Sequence, residues 1–276
     1  MNKSIVITGG AGYIGSVAAE LFKRAGWQVI IVDDLSTGFE ENIHGNIFYK
    51  ADFADAPWIE DAARKYNPSL LMHFAALALV GESMENPYRY YENNIAKFAA
   101  LLQNMVKHGI PRIIFSSSAA VYGEPSSIPI TEEHPLRPNN VYGHTKKIAE
   151  EILNYYYQIY GLAFIALRYF NAGGAALEFQ LGEHHANETH LIPNLLLAAI
   201  GKKPEFQLFG NDYPTQDGTC VRDFIHVLDI AHAHYLAAQH LYSKGSPDVF
   251  NIGNEKGFSI KEIITAANDL IHHASP

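Results

Sequence analysis

Thr-Gly-Gly-Ala-Gly-Tyr-Ile-Gly, at residues 8–15, is the most informative stretch of this sequence. It follows the short apolar run Ser4–Thr8 and leads into a helical pattern of apolar residues over Gly12–Ala25. Between a strand and a helix, glycines at three-residue intervals allow a tight turn and a close approach of the backbone to a pyrophosphate at the helix N-terminus. A purely structural turn is the alternative reading. We expect a dinucleotide site here.

The same alternation of apolar runs and amphipathic stretches continues to about residue 170, as in repeated βαβ units. Right-handed crossovers between such units give an α/β fold with a doubly wound parallel sheet of the Rossmann type. The pattern predicts strands at Ser4–Thr8, Val29–Asp33, Ile47–Lys50, Leu70–Phe74, Arg112–Ser116 and Ala163–Tyr169, and helices at Gly12–Ala25, Pro57–Tyr66, Tyr88–His108 and Tyr142–Tyr160.

After Tyr169 the alternation ends in an irregular segment, Asn171–His190, which indicates a second, smaller lobe. Further helices are predicted at Pro193–Gly201, at Val227–Leu241 and after Ser259, and a strand at Val249–Ile252. We expect a dinucleotide-binding domain of residues 1–170 plus about 221–253, and a second lobe of residues 171–220 plus 254–276.

Composition excludes several classes of protein. The chain has 276 residues, 48% of them hydrophobic, and one cysteine, Cys220, so disorder and a disulfide scaffold are excluded. No apolar run reaches the roughly 18 residues of a membrane span, and Met1–Gly10 has no signal-peptide pattern. The formal charge of −9 argues against broad binding to nucleic acid or acidic membranes. We expect a cytoplasmic enzyme.

Three aspartates lie where a dinucleotide would meet carboxylates. Asp33 ends the second strand eighteen residues after Gly15 (33 − 15), where it can accept hydrogen bonds from a ribose, and Asp34 follows it. No arginine stands beside them for a 2′-phosphate, which favours NAD over NADP. Asp52 follows the third strand, where an adenine amino group could be bound. Each could instead be a helix cap or a loop carboxylate.

A proton-transfer site is predicted from Ser118, Tyr142 and Lys146. The run Ser116–Ser118 ends the fifth strand, at the sheet edge where ligands of open α/β sheets bind. Tyr142 and Lys146, four residues apart on a helix, share one face, so the ammonium can favour the phenolate. Alternatively, Tyr142 packs in the core and Lys146 is solvated.

Histidine clusters do not predict a metal site. Glu183–His185, His232 with His234, and His272–His273 bring histidines close in sequence, but adjacent or i,i+2 side chains on a helix diverge, and no His-Glu-x-x-His occurs. We therefore expect no catalytic metal.

The motifs together resemble the extended short-chain dehydrogenase/reductase (NAD-dependent epimerase/dehydratase) family. The resemblance rests on the glycine turn, His73–Ala76, Ser118 with Val121–Gly123, and Tyr142 with Lys146. Further motifs, spread over nearly the whole chain, resemble the UDP-hexose 4-epimerases of that family: Val80–Ser83, Tyr91–Asn94, Arg168–Asn171, His190–Pro193, Phe209–Thr215, Asp217–Thr219 and Val221–Asp223.

This resemblance implies an NAD-dependent interconversion of UDP-glucose and UDP-galactose. Hydride passes from sugar C4 to NAD, the 4-keto sugar turns over, and hydride returns to its other face. Tyr142 would be the base, Ser118 would hydrogen-bond the reacting hydroxyl, and Lys146 would bind the nicotinamide ribose and depress the tyrosine pKa.

The resemblance also implies the remaining contacts and a homodimer. Cofactor contacts are expected from Gly9, Gly12, Tyr13, Ile14, Gly15, Asp33, Asp34, Asp52, Phe53, Phe74, Ala75, Ala76, Asn93, Ser116, Tyr142, Lys146 and Phe170. UDP-sugar contacts are expected in the second lobe and beside the base, from Ser118, Tyr142, Asn171, His190, Leu191, Gln207, Phe209 and Arg222. Without the resemblance, Arg222 would be read as an ion-pair partner of Asp223 or Asp229.

Two departures from the family keep alternatives open. Ala78 stands where several members carry a lysine near the cofactor, and the sequence ends at Pro276, several dozen residues before the family usually ends. In the family that tail supplies a second diphosphate-binding arginine and the residue that gates the sugar pocket. An epimerase of UDP-N-acetylhexosamine or of a UDP-pentose, or a truncated NAD-binding protein without turnover, is therefore also considered.

A 4,6-dehydratase is disfavoured, because Ala119-Ala120 replaces its Asp-Glu pair. The presence of Ser118, Tyr142 and Lys146 argues against a protein that binds NAD without turnover.

Overall fold

The computed structural model describes residues 3–186 and 188–274, so Pro276 lies outside the described residues. Its strands are β1 (Ser4–Thr8), β2 (Gln28–Asp33), β3 (Ile47–Lys50), β4 (Leu70–His73), β5 (Arg112–Ser118), β6 (Ala163–Tyr169), β7 (Asn171–Gly173), β8 (Val221–His226), β9 (Asp248–Ile252) and β10 (Gly257–Ser259). Its α-helices are α1 (Tyr13–Arg24), α2 (Ala56–Tyr66), α3 (Val80–Glu85), α4 (Pro87–Tyr91), α5 (Phe98–Lys107), α6 (Val141–Tyr160), α7 (Leu191–Ala199), α8 (Val227–Ser243) and α9 (Ile260–Ala274).

The central sheet has seven parallel strands in the order β3-β2-β1-β4-β5-β6-β9. A chain that fills one half of the sheet and then returns past its first strand to fill the other is doubly wound. A smaller sheet has the order β10-β8-β7, with β10 antiparallel and β7 parallel to β8. The predicted α/β fold, a Rossmann sheet with a smaller mixed lobe, is confirmed.

Alternation of side chains along each strand gives the sheet two covered faces. Ile5 and Ile7 of β1 pack in the core on the side of α1 and α8, whereas Val6 packs on the other side with residues of α2, α5 and α6. All five residues of β1 are buried. A strand buried on both faces reads as a continuous apolar run, which explains why the strands of this sheet were predictable.

One predicted helix is interrupted. The sequence predicted a single helix over Tyr88–His108, but α4 and α5 are separated by a π-helical turn at Glu92–Lys97. Inside that turn the buried Asn94 amide bonds both backbone groups of Leu77, at 3.0 Å each, and the Thr145 hydroxyl at 3.1 Å. Pi-helical turns are rare and occur often at functional sites. Here the turn ties the loop after β4 to α6.

The small sheet was not predicted. Asn171–His190 was expected to be irregular, which is wrong for β7, and no strand was expected at β8 or β10. Strands β7 and β10 have three residues each, and the burial of β8 follows no alternation, so all three lack the usual strand signal. The division into two lobes stays a prediction. Within the described ranges, no helix combines the length and hydropathy of a membrane span.

Candidate active site

A cavity of about 400 Å³ lies at the carboxyl edge of the central sheet. Turns and strand ends from both halves of the sheet converge there, at the place where open α/β sheets bind ligands. Most of the predicted site residues line it: Gly9, Gly12, Tyr13, Ile14, Gly15, Phe74, Ala76, Ser116, Ser118, Tyr142, Lys146, Phe170, Asn171 and His190.

The glycine turn forms one end of this cavity. Gly9 has a φ of +74°, and a Cβ there would lie 2.6 Å from the Ala75 nitrogen, so only glycine fits between β1 and the loop after β4. A Cβ on Gly12 would meet only the Gly9 carbonyl oxygen, at 3.4 Å, and would otherwise project into open space. The missing side chain of Gly12 therefore leaves room for a ligand at the N-terminus of α1.

The three predicted aspartates have different partners. Asp33, at the end of β2, accepts hydrogen bonds from the backbone nitrogens of Ala11 (3.0 Å) and Leu35 (2.9 Å), and burial raises its pKa. The exposed Asp34 accepts one from the Ser36 nitrogen. Asp52 pairs with Lys97 at 2.5 Å, so its carboxylate already has a cationic partner.

Ser118, Tyr142 and Lys146 meet at the other end of the cavity. Ser118 ends β5, and Tyr142 is in the first turn of α6, whose N-cap Asn140 accepts a 2.8 Å bond from the Gly143 nitrogen. Lys146 is one turn further on, 3% exposed, and its Nζ donates a 2.6 Å hydrogen bond to the Ser116 carbonyl. The predicted common face of Tyr142 and Lys146 is observed.

Burial shifts the pKa values of Tyr142 and Lys146 in opposite directions. Burial raises the pKa of Tyr142, and its interaction with the Ser118 hydroxyl lowers that pKa only in part. Burial also lowers the pKa of Lys146 to about 7, although the negative charge of Glu150 acts in the opposite direction. A partly neutral amine gives little stabilisation to a phenolate, so the lysine by itself does not depress the pKa of Tyr142.

A buried polar network supports α6 behind Ser118, Tyr142 and Lys146. The Arg168 guanidinium bonds the Glu150 carboxylate at 2.5 Å, and both side chains are 5% exposed. Glu150 also accepts a 2.6 Å hydrogen bond from Ser117, and Arg168 donates to the Tyr122 hydroxyl at 2.8 Å. Both charges have several partners, as buried charges require.

Three further predicted cofactor residues lie outside the cavity lining. Ala75 packs against Gly9, and Phe53 is 7% exposed within the core. Asn93, in the π-helical turn, donates to the Asn94 side chain at 3.0 Å.

The predicted substrate residues of the second lobe are more scattered. Leu191, Gln207 and Phe209 line a second cavity, of about 330 Å³, formed by the start of α7 and the segment after it. Arg222, on β8, is exposed and donates to the Val221 carbonyl, and it forms no ion pair with any described residue. The alternative reading, a pair with Asp223 or Asp229, is therefore not observed.

Sequence reasoning missed other residues of the main cavity. Tyr169, Glu183, His184 and His185 line it as well. Tyr169 is the last residue of β6, so its position at the carboxyl edge of a predicted strand could have identified it. The others lie in a loop, which has no periodic pattern to give their orientation.

The sequence matches the profile described as "NAD dependent epimerase/dehydratase family" over residues 5–253. Among curated proteins, the UDP-glucose 4-epimerase of Halalkalibacterium halodurans is 44% identical over 273 residues, which are 99% of this chain and 82% of that protein.

Solved structures of UDP-glucose 4-epimerases have a similar fold. The UDP-glucose 4-epimerase of Brucella ovis in complex with NAD has a TM-score of 0.93 at 44% identity, covering 96% of this chain and 81% of that one. The UDP-glucose 4-epimerase of Bifidobacterium longum in complex with NAD+ and UDP has a TM-score of 0.93 at 36% identity, covering 99% and 85%.

Proposed function

This chain belongs to the NAD dependent epimerase/dehydratase family, and we propose that it interconverts UDP-glucose and UDP-galactose by inverting C4 of the sugar. One observation carries the proposal. Ser118, Tyr142 and Lys146 lie in the same cavity as the glycine turn, so a proton acceptor and a dinucleotide site face the same space. The curated relative and the two solved structures compared above are UDP-glucose 4-epimerases, which supports this substrate class.

The residues present fit NAD. Gly12 leaves space beside the free backbone N–H groups of α1, where a pyrophosphate would bind, and Asp33 ends β2 where a ribose would meet a carboxylate. The Lys146 ammonium lies deeper in the cavity, where it would hold the nicotinamide ribose. NAD supplies the hydride acceptor and the hydride donor of the reaction.

Tyr142 moves the proton. In the first half-reaction the phenolate takes the proton of the sugar 4-hydroxyl while C4 loses its hydride, and the product is a 4-keto sugar. In the second half the phenol returns that proton to the oxygen after the sugar has turned over. Ser118 orients the oxygen by a hydrogen bond in both halves. Because the proton and the hydride both return, the reaction has no net redox change.

The electrostatics suit this cycle. Burial favours the neutral phenol in Tyr142 and partly neutralises Lys146, so the phenolate needs an additional positive charge nearby. Oxidised nicotinamide carries such a charge, and reduction removes it. Tyr142 would therefore be a base when the cofactor is oxidised and an acid when it is reduced, which is the order that the two halves require.

We assign the UDP moiety to the second lobe. Asn171 and His190 line the main cavity, and Leu191, Gln207 and Phe209 line the neighbouring one. Arg222 is exposed on β8 without an ion-pair partner among the residues described, so its guanidinium is available for a diphosphate.

The test is to purify the 276-residue chain without added cofactor, denature one sample and assay released NAD, and give UDP-galactose to a second. We expect NAD in the first and UDP-glucose in the second. Release of NAD without conversion of UDP-galactose would contradict the proposed substrate. UDP-N-acetylgalactosamine and UDP-arabinose would then be tried. Absence of both NAD and conversion would contradict the function.

We also propose that the chain forms a homodimer and is cytoplasmic. Helix α6 and the short helices before the π-helical turn expose large apolar side chains, including Tyr155 (64%), Ile159 (67%) and Tyr88 (71%), which favours a partner surface there. Sedimentation equilibrium tests the dimer, and Ile159→Lys should yield monomers. The single free thiol of Cys220 fits a reducing compartment, and cell fractionation tests that location.

A further inference from the structure

Four potential metal ligands converge in the loop that precedes α7. Glu183, His185, Glu188 and His190 each present one ligand atom, and these atoms all lie within 4.8 Å of one another. Sequence analysis predicted no metal site because adjacent and i,i+2 histidines diverge on a helix. Residues 183–186 and 188–190 are not helical, so that argument does not apply to them.

We propose that Glu183, His185, Glu188 and His190 bind one divalent transition-metal ion, with Zn²⁺ the best fit. The proposal goes beyond the epimerase function. It shares His190 with the residues assigned to the UDP moiety, so the ligand variants below are made at Glu188 and His185.

The spacing of the four side chains is close to that of a tetrahedral site, with the shorter separations at hydrogen-bond distance and none above 4.8 Å. His190 Nδ1 lies 3.0 Å from both Glu183 Oε1 and Glu188 Oε1, and His185 Nδ1 lies 3.1 Å from Glu188 Oε2 and 3.9 Å from Glu183 Oε1. Ligands about 2.0–2.1 Å from a tetrahedral Zn²⁺ are about 3.3 Å from one another. The Nδ1 atoms of both rings already point toward the space between the carboxylates, so small side-chain adjustments would complete the site.

The charge of the cluster favours a cation. The Glu183 and Glu188 side chains are only 9% and 7% exposed, and buried carboxylates are normally paired with a cation or bound to a metal. Their ion-pair partners among the described residues are the imidazoles of His185 and His190, and neither carboxylate is paired with a lysine or an arginine there. Lys203 is near, but it donates to the Glu188 backbone carbonyl, at 3.3 Å, and not to the carboxylate. Two imidazoles with two carboxylates form a set that suits Zn²⁺.

The position of the cluster adds a second argument. Glu183, His185 and His190 line the main cavity, and the pKa of Tyr13 in the glycine turn is raised first by burial and then by the negative charge of Glu183. A carboxylate beside a site for anionic ligands is unfavourable unless a cation neutralises it. A bound divalent ion would remove this repulsion and would fix the loop against the cavity.

The experiment measures metal binding directly. The complete chain, freed of purification tags and treated with a chelator, is dialysed against Zn²⁺ at pH 7.5, and bound zinc is quantified by mass spectrometry and by competition with a chromophoric chelator. We expect one ion per chain. Co²⁺ in the same site should show the visible absorption of a tetrahedral complex.

Three variants locate the ion. Glu188→Gln and His185→Asn should each weaken zinc binding by at least about 10-fold, because each removes a ligand. The matched control is His184→Asn. His184 is the neighbouring histidine of the same loop, but its ring stacks on Phe39 at 4.0 Å and is outside the cluster, so its removal should leave zinc affinity within about two-fold. Circular dichroism establishes that each variant is folded.

Three outcomes would overturn the proposal. Binding of less than one zinc per chain would show that the cluster consists only of hydrogen bonds between its histidines and glutamates. If both ligand variants still bind one zinc ion per chain, the ion binds elsewhere. Equal loss in the control and the ligand variants would show that the loop, rather than its ligands, determines binding.

Discussion

Lys146 Nζ lies 5.8 Å from the ring centroid of Tyr142, on the same wall of the cavity. Burial moves both groups toward their neutral forms, since it raises the pKa of the phenol and lowers that of the ammonium to about 7. The protonation of both groups therefore changes strongly when one charge is added nearby, because the low-dielectric surroundings screen that charge little. The pair therefore couples the proton position to the charge of whatever occupies the cavity.

Removing the Tyr142 hydroxyl should abolish turnover without loss of the dinucleotide. In Tyr142→Phe the ring still packs beside Lys146, but no atom can accept the 4-hydroxyl proton, so kcat should fall by about 10²- to 10⁴-fold. The measurement is conversion of UDP-galactose, with released NAD assayed in parallel. Wild-type kcat in this variant would remove Tyr142 from the mechanism.

Gly12→Ala should weaken NAD binding while the fold is kept. The new methyl group would meet only the Gly9 carbonyl oxygen, at 3.4 Å, within the chain, and would occupy the space assigned to the pyrophosphate. We expect NAD to be lost during purification. Gly81→Ala is the matched control, because nothing lies within 4 Å of a Cβ there. Equal NAD content in both variants would contradict the assigned pyrophosphate position.

Breaking the buried ion pair behind the site should destabilise the chain. Glu150→Gln leaves Arg168 buried without its carboxylate, and the loss of one partner of such a pair costs about 3–5 kcal/mol in the free energy of unfolding. The double variant Glu150→Gln with Arg168→Met removes both charges and should recover part of this loss. Denaturant unfolding of the unchanged chain, of Glu150→Gln and Arg168→Met alone, and of the double variant completes the cycle, and additive losses would show that the pair is not coupled.

His234 should make the chain sensitive to acid. Burial lowers its pKa from 6.5 to about 4, so between these values the unfolded chain binds a proton that the folded chain does not. The destabilisation due to His234 is therefore absent above pH 6.5 and grows as pH decreases, to about 3 kcal/mol at pH 4. His234→Asn should remove this contribution and make the stability profile less steep, while the buried His73, whose pKa is also lowered, keeps its own. His232→Asn, on the exposed side of the same helix, should retain the contribution of His234.

The sequence was most informative where burial on both faces imposed a pattern, as it does on β1 and β6. The bounds of β1, β3 and β6 were predicted to the residue, and the run of β1 ends at the Gly9-Gly10 turn. The residues chosen as catalytic were also brought together, since helical spacing fixes the relation of Tyr142 to Lys146 and the strand end fixes Ser118.

Features that depend on contacts distant in sequence were missed. The π-helical turn at Glu92–Lys97 contains the buried Asn94, whose hydrogen-bond partner Thr145 is 51 residues away in the sequence. A local sequence pattern cannot indicate a hydrogen bond between residues so far apart. The Glu183–His190 cluster was missed for a related reason. Periodicity gives the direction of side chains only in helices and strands, and a loop has none.

The last strand of the central sheet, β9, also sets a constraint on biosynthesis. Its neighbour β6, buried along all seven residues, ends at Tyr169, and β9 ends at Ile252, 83 residues later (252 − 169). A ribosome adding about 5–20 residues per second needs about 4–17 s for that interval. During this time the nascent chain carries an apolar strand with one unpaired edge, which is the kind of surface that chaperones shield and that other strands join.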